Sequence, residues 1–164
     1  MRIKWFSLIR ITGLLLVLLY HFFQTIFPGG FFGVDVFFTF SGFLITALLI
    51  EEFSKNHEID LVGFFRRRFY RIVPPVVLMV LVTMPFTFLV RQDYVAGIGG
   101  QIAGVLGFMT NFYELLTGGS YESQLIPHLF VHNWSLAVEV HYYILWGLAV
   151  WFLSKQSRSN GQLR

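Results

Sequence analysis

Arg10 and His21 stand eleven residues apart in a run that is otherwise almost entirely apolar. At about 100° per residue that spacing returns to within about 20° of the same helix face, about 16 Å further along the axis. One side of one helix would therefore carry a guanidinium near one end and an imidazole near the other. The unperturbed imidazole titrates close to neutral pH, which suits it to general acid–base chemistry. Two readings stay open for the pair. It marks a polar path through a bundle, or Arg10 snorkels to headgroups while His21 bonds a neighbouring helix.

Three further groups carry chemistry. Asp35 lies five residues after the turn Pro28-Gly29-Gly30, in the apolar stretch Gly33–Ile45. Its carboxylate either orients the imidazole of His21, at a similar depth, or is simply favoured by the positive end of its own helix. Arg67, Arg68 and Arg71 fall at i, i+3 and i+4 spacings, so on a helix their forks share one flank. Such forks match the oxygens of a diphosphate, and equally those of anionic lipid headgroups. The run adjoins Pro74-Pro75 and an apolar segment, which argues against nucleic acid. Last comes His132-Asn133-Trp134-Ser135-Leu136-Ala137-Val138-Glu139-Val140-His141-Tyr142-Tyr143. If a helix begins at Asn133, then Ser135, Glu139, Tyr142 and Tyr143 fall on neighbouring positions of one side, with His141 roughly opposite. Ionisable groups at membrane depth are costly and tend to mark function, although Glu139 could also pair structurally with Arg10. His128 and His132 have i, i+4 spacing, but Pro127 favours a loop there and no carboxylate is clearly placed, so no metal site is expected.

The elements that must position these residues are membrane helices. The chain is 55% hydrophobic and 19% aromatic, with only 13% charged residues and a mean hydropathy of +0.65, which excludes an ordinary soluble domain. It has no cysteine, so disulfides, thiolate metal sites and a cysteine nucleophile are excluded. A span needs about 20 apolar residues, and five segments qualify: Trp5–Phe27, Phe31–Ile50, Ile72–Val90, Val95–Phe112 and Trp134–Leu153. The fold class is thus all-α, a polytopic bundle of about five hydrophobic helices. The apolar run after Arg2 and Lys4 has no small-residue cleavage site behind it and reads as an uncleaved span. The basic stretch between the second and third segments, Glu51 to Arg71, belongs in the cytoplasm by the positive-inside rule, as do Arg2 and Lys4. The expected location is the cell membrane, multi-pass, with a cytoplasmic N-terminus. The fourth segment, rich in glycine, either crosses or is re-entrant backbone buried among other helices. Five crossings are preferred, which would put Lys155, Arg158 and Arg164 outside.

Taken in order, these motifs resemble the type-3 membrane acyltransferases. That family carries an arginine and, eleven residues on, a histidine in its first helix, as at Arg10 and His21. Its second-helix signature Gly-Val-Asp-x-Phe-Phe-x-x-Ser-Gly-Phe is matched by Gly33 through Phe43. Its Arg-Arg-x-x-Arg-Ile-x-Pro is matched at Arg67, Arg68, Arg71, Ile72 and Pro74. Its Trp-Ser-Leu-x-x-Glu-x-x-Phe-Tyr is matched at Trp134, Ser135, Leu136 and Glu139, with Tyr142-Tyr143 in place of Phe-Tyr. Where the family often has Arg-Gly-Ile-Ala or Arg-Ala-x-Ala, this chain has Arg10-Ile11-Thr12-Gly13. More narrowly, the chain is similar to the peptidoglycan O-acetyltransferases of Gram-positive bacteria.

The resemblance implies an enzyme that moves an acetyl group from cytoplasmic acetyl-CoA to a hydroxyl of a cell-surface glycan, with muramic acid of peptidoglycan as the expected acceptor. Acetyl-CoA is then a substrate and no cofactor is bound. Catalytic roles fall to His21, Arg10, Glu139 and Asp35, and substrate binding to Arg67, Arg68, Arg71 and Ser135. The family's membrane domain has about ten helices, each needing about 20 apolar residues, so the chain reads as truncated. Residues 1–154 are expected to be the N-terminal part of that domain, and 155–164 a polar tail or the start of the next loop. The expected partners are the lipid bilayer, acetyl-CoA, a cell-wall or surface polysaccharide, and the missing helices or an extracytoplasmic esterase-like domain. The competing reading is a catalytically inactive membrane fragment.

Overall fold

The computed structural model describes residues 4–89, 95–117 and 128–161, and among them it contains α-helices and short 3-10 turns but no strand. Arg2, Val90, Pro127 and Arg164 lie outside the described residues. The chain divides into two compact units, Met1–His57 and Glu58–Arg164.

The first unit is a helical hairpin of α1 (Lys4–Phe22) and α2 (Phe32–Asn56). α1 stops five residues short of the predicted end. The chain then turns, with the Phe27 N–H on the Phe23 carbonyl at 2.8 Å, and enters a 3-10 turn at Pro28–Phe31. Pro28 opens that turn, where a missing N–H costs nothing. Gly33 sets how closely the helices approach. A Cβ there would fall 2.6 Å from the Gly13 carbonyl oxygen, so only a glycine lets the backbones meet. α2 runs six residues past its predicted end and closes on His57 in the left-handed region at φ 55°, with the His57 N–H on Phe53 O at 2.8 Å.

The second unit is built on α3 (Leu61–Thr83), α4 (Ile98–Leu106), α5 (Thr110–Thr117) and α6 (Trp134–Gly161). α3 begins eleven residues before the predicted third span. Asp60 caps it, accepting the Gly63 N–H at 2.9 Å, and the helix continues through Pro74 and Pro75. The basic stretch is therefore mostly helix, and Arg67, Arg68 and Arg71 sit on α3. α6 also overruns Leu153 and carries most of the polar 155–164 segment as helix to Gly161.

The fourth predicted segment is not one helix. α4 starts after Gly97, whose φ of 64° suits glycine. It ends in a Schellman pair, Met109 N–H to Gly104 O at 2.7 Å and Phe108 N–H to Val105 O at 3.2 Å, with Phe108 in the left-handed region. α5 then doubles back, so that the Tyr113 ring fills the space that a Cβ on Gly100 would need. Helices of nine and eight residues reach only about 13 Å each at 1.5 Å per residue, less than half of the roughly 30 Å hydrocarbon core. The preferred single long helix thus gives way to a short helical hairpin. α4 lies along α3, with Val76, Val80, Val105 and Phe130 forming the core.

Among the described residues, three helical stretches are long and apolar enough to cross a membrane, Pro28–Asn56, Leu61–Leu89 and Val131–Ser157, and Leu8–Phe22 is a shorter apolar helix. Large apolar side chains such as Phe88, Leu89 and Leu116 face outward, as lipid contact requires. The chain is an all-α membrane protein. The Gly33 contact gives a direct test. Gly33→Ala should lower the melting temperature in detergent, by an amount corresponding to about 1–3 kcal/mol of overpacking. Gly29→Ala, with open space around its Cβ, should leave it unchanged.

Candidate active site

In the first unit the two groups of α1 are held differently. The Arg10 guanidinium lies over the Phe40 ring, 5.2 Å from its centroid, a cation–π contact that spares a partly buried charge from bare hydrocarbon. The His21 ring places Nδ1 2.7 Å from the Val17 carbonyl oxygen. A carbonyl only accepts, so Nδ1 carries a proton in this contact. Tyr20 meets the ring edge-on at 5.7 Å.

Asp35 is exposed in the first turn of α2. Val36 and Phe37 are the residues nearest a Cβ on Gly13, so Asp35 lies level with the middle of α1 rather than with His21. The two are separated along the axis by about 10 Å, roughly two turns. The structure therefore places Asp35 where the helix dipole favours a carboxylate, and gives the orienting of His21 to a backbone carbonyl.

In the second unit α3 and α6 bring two of the sequence motifs together. Arg68 is partly buried between two rings, its guanidinium 5.6 Å from the Phe64 centroid and 5.3 Å from that of Tyr143. The Tyr143 hydroxyl donates to Glu139 Oε1, and Glu139 also acts on the Arg68 charge through space. Gly147 lets the helices close, since a Cβ there would meet the Phe64 ring at 3.1 Å. Arg68 and Tyr143 of this network line an open, mostly apolar groove of about 690 Å³, to which Phe65, Phe69, Phe108 and Val140 contribute. Arg66 and Arg68 supply its charge. Arg67 and Arg71 are exposed on α3. The three arginines of the motif are therefore not equivalent: one faces α6 and two face outward.

Around the start of α6 the side chains bond the preceding 3-10 turn, Val131–Asn133. Ser135 Oγ donates to His132 O at 3.4 Å, and Asn133 Nδ2 donates to Phe130 O at 3.2 Å. The two tyrosines left undistinguished by sequence separate here. Tyr143 holds Glu139, whereas Tyr142 stacks on Trp146 at 6.0 Å. His141 lies against Phe112 of α5.

One cluster went unread. Glu114 of α5 is buried and places Oε2 2.8 Å from His128 Nδ1, and Gln101 of α4 is buried too. Sequence treated His128 only as a poor metal ligand. The signal available was a lone carboxylate in Asn111-Phe112-Tyr113-Glu114-Leu115-Leu116, an apolar setting that calls for a partner.

The fold and these charges define a polytopic helical membrane protein with charged side chains set into an apolar groove. A family described as acyltransferase domain matches residues 3–160, and the chain belongs to it. The O-acetyltransferase OatA of Staphylococcus aureus strain NCTC 8325 is 32% identical over 145 residues, covering 88% of this chain and 24% of that protein. The peptidoglycan O-acetyltransferase OatA of Listeria monocytogenes is 31% identical over 139 residues, covering 84% of this chain and 22% of its own. A putative O-acetyltransferase of S. aureus strain COL is 32% identical over 136 residues, covering 83% and 22%. The chain thus spans about a quarter of the length of these relatives. No solved structure matches.

The Arg68–Tyr143–Glu139 contact makes its own prediction. Tyr143→Phe leaves the ring under Arg68 and removes only the hydroxyl, leaving a carboxylate oxygen short of a partner. It should cost about 1–3 kcal/mol. Arg68→Lys should cost as much or more, because an ammonium cannot stack between two rings as a planar guanidinium does. Thermal unfolding in detergent measures both.

Proposed function

We propose that this chain provides the acyl-transfer site of a membrane O-acetyltransferase, moving acetyl from cytoplasmic acetyl-CoA to a hydroxyl of a surface glycan, muramic acid of peptidoglycan. The observation that carries the reading is the meeting of Arg68 and Tyr143 on the wall of an apolar groove, with Glu139 bonded to the Tyr143 hydroxyl. Likeness to relatives named as O-acetyltransferases, one of them a peptidoglycan O-acetyltransferase, supports it.

In this reading the N-terminus and the start of α3 face the cytoplasm. Exposed Arg67 and Arg71 hold the phosphates of the donor, where paired forks suit phosphate oxygens. The apolar groove receives the less polar arm that ends in the thioester, with Arg68 at its wall. His21 takes the proton of the attacking hydroxyl. The hydroxyl oxygen forms the new ester bond as the carbon–sulfur bond of the thioester breaks. The proton returns to the departing thiolate, so the exchange is balanced. Arg10 offers positive charge toward the carbonyl oxygen as it becomes an oxyanion. Ser135 contributes a hydroxyl for orienting substrate. Glu139 balances the charge of Arg68 within the second unit, and Asp35 is the acidic group at the start of α2 in the first.

Base-labile acetate released from the walls of an acetyltransferase-null host tests this. Cells expressing the chain should release acetate above the empty strain, and His21→Ala should return the signal to background while membrane levels hold. Equal acetate from the His21→Ala strain would remove His21 from the chemistry. No acetate from a verified membrane chain would favour a catalytically inactive piece. In an active preparation, Arg67→Ala with Arg71→Ala should raise KM for acetyl-CoA by about tenfold or more, as expected for losing charge-assisted bonds of about 1.5–3 kcal/mol each.

A further inference from the structure

The stretch His128–Asn133 carries the chain into α6 as turn and 3-10 backbone. Phe130 packs in one cluster with Val76 and Val80, halfway along the apolar rod Leu61–Leu89. α6 therefore begins level with the middle of that rod and not with its end. Irregular backbone at such a depth lasts only where protein groups satisfy it.

Two buried polar side chains do so, one from each short helix. Gln101 is 1% exposed; its Oε1 accepts the Phe130 N–H at 3.3 Å, and its Nε2 donates to Ala96 O at 2.7 Å. Glu114 is 6% exposed and holds His128 Nδ1 at 2.8 Å. The short hairpin thus grips residues 128 and 130, just ahead of Trp134, Ser135 and Glu139. The grip is not built for stability alone. Among the described residues, Glu114 Oε1, Thr110 Oγ1 and Asn111 Oδ1 are buried without a hydrogen-bond partner, and well-packed apolar residues would hold a hairpin at lower cost.

We propose that Gln101 and Glu114 are positioning residues of the transferase. By pinning Phe130 and His128 they set the residue at which α6 starts, and so the direction in which Ser135 and Glu139 point. The leverage is large, because a one-residue slip turns every following side chain by about 100°. The inference rests on the functional reading above for the roles of Ser135 and Glu139, but its geometry can be tested separately.

The chain has no cysteine, so a single introduced thiol reports without background. The rate of maleimide modification at Ser135→Cys, in the full chain in membranes, reads where that side chain points. A second probe, Ser154→Cys, sits far along α6. Glu114→Ala and Gln101→Leu should each change the rate at the first probe by about tenfold, equivalent to about 1.4 kcal/mol in its exposure equilibrium, and leave the second within about twofold. Glu114→Gln keeps an oxygen that accepts from Nδ1 and should restore the parental rate. Parental rates in both Glu114→Ala and Gln101→Leu would overturn the proposal, as would equal changes at both probes. Gln101→Leu carries the comparison should Glu114→Ala not accumulate. Acetate release from the same substitutions without the thiols separates the two readings. A moved first probe with unchanged acetate keeps the clamp and removes Ser135 and Glu139 from the reaction.

Discussion

The constraint behind most of this structure is that backbone N–H and C=O groups surrounded by hydrocarbon must find partners within the protein. Long helices answer it for Pro28–Asn56, Leu61–Leu89 and Val131–Ser157. Where the chain cannot stay helical, substitutes appear beside the break. The end of α4 closes on its own carbonyls through Phe108 and Met109. The turn before α6 draws on Gln101, Asn133 and Ser135. Phe108 in the left-handed region shows the cost, since a bulky residue there is strained and stays only when its surroundings fix it. Its side chain also lines the groove, so the same turn that ends α4 shapes the candidate site.

Charge follows a similar logic. Two partly buried arginines lie on aromatic rings. Arg10 lies on Phe40, and Arg68 lies between Phe64 and Tyr143. Guanidinium suits both places because it is planar, weakly hydrated and stacks on rings. The Tyr143 hydroxyl extends the contact to Glu139, so the arginine motif of α3 and the glutamate motif of α6 form one local network. Such a network lets an apolar groove keep a permanent positive charge at its wall.

Much of this was legible in the residues, and the exceptions share a cause. Hydropathy found the long helices and the first hairpin, since those depend on composition over about 20 residues. It misplaced their ends by up to eleven residues at α3, because an arginine run reads as loop although Asp60 caps a helix through it. The fourth segment failed for a different reason. Val95–Phe112 is apolar throughout, and only the αL conformations of Gly97 and Phe108 divide it. Within the site, the motifs at Arg68 and Glu139 were visible but their contact was not, since it depends on how α3 packs against α6. Glu114 and Gln101 matched no motif, and their partners lie 14 and 29 residues away in the chain.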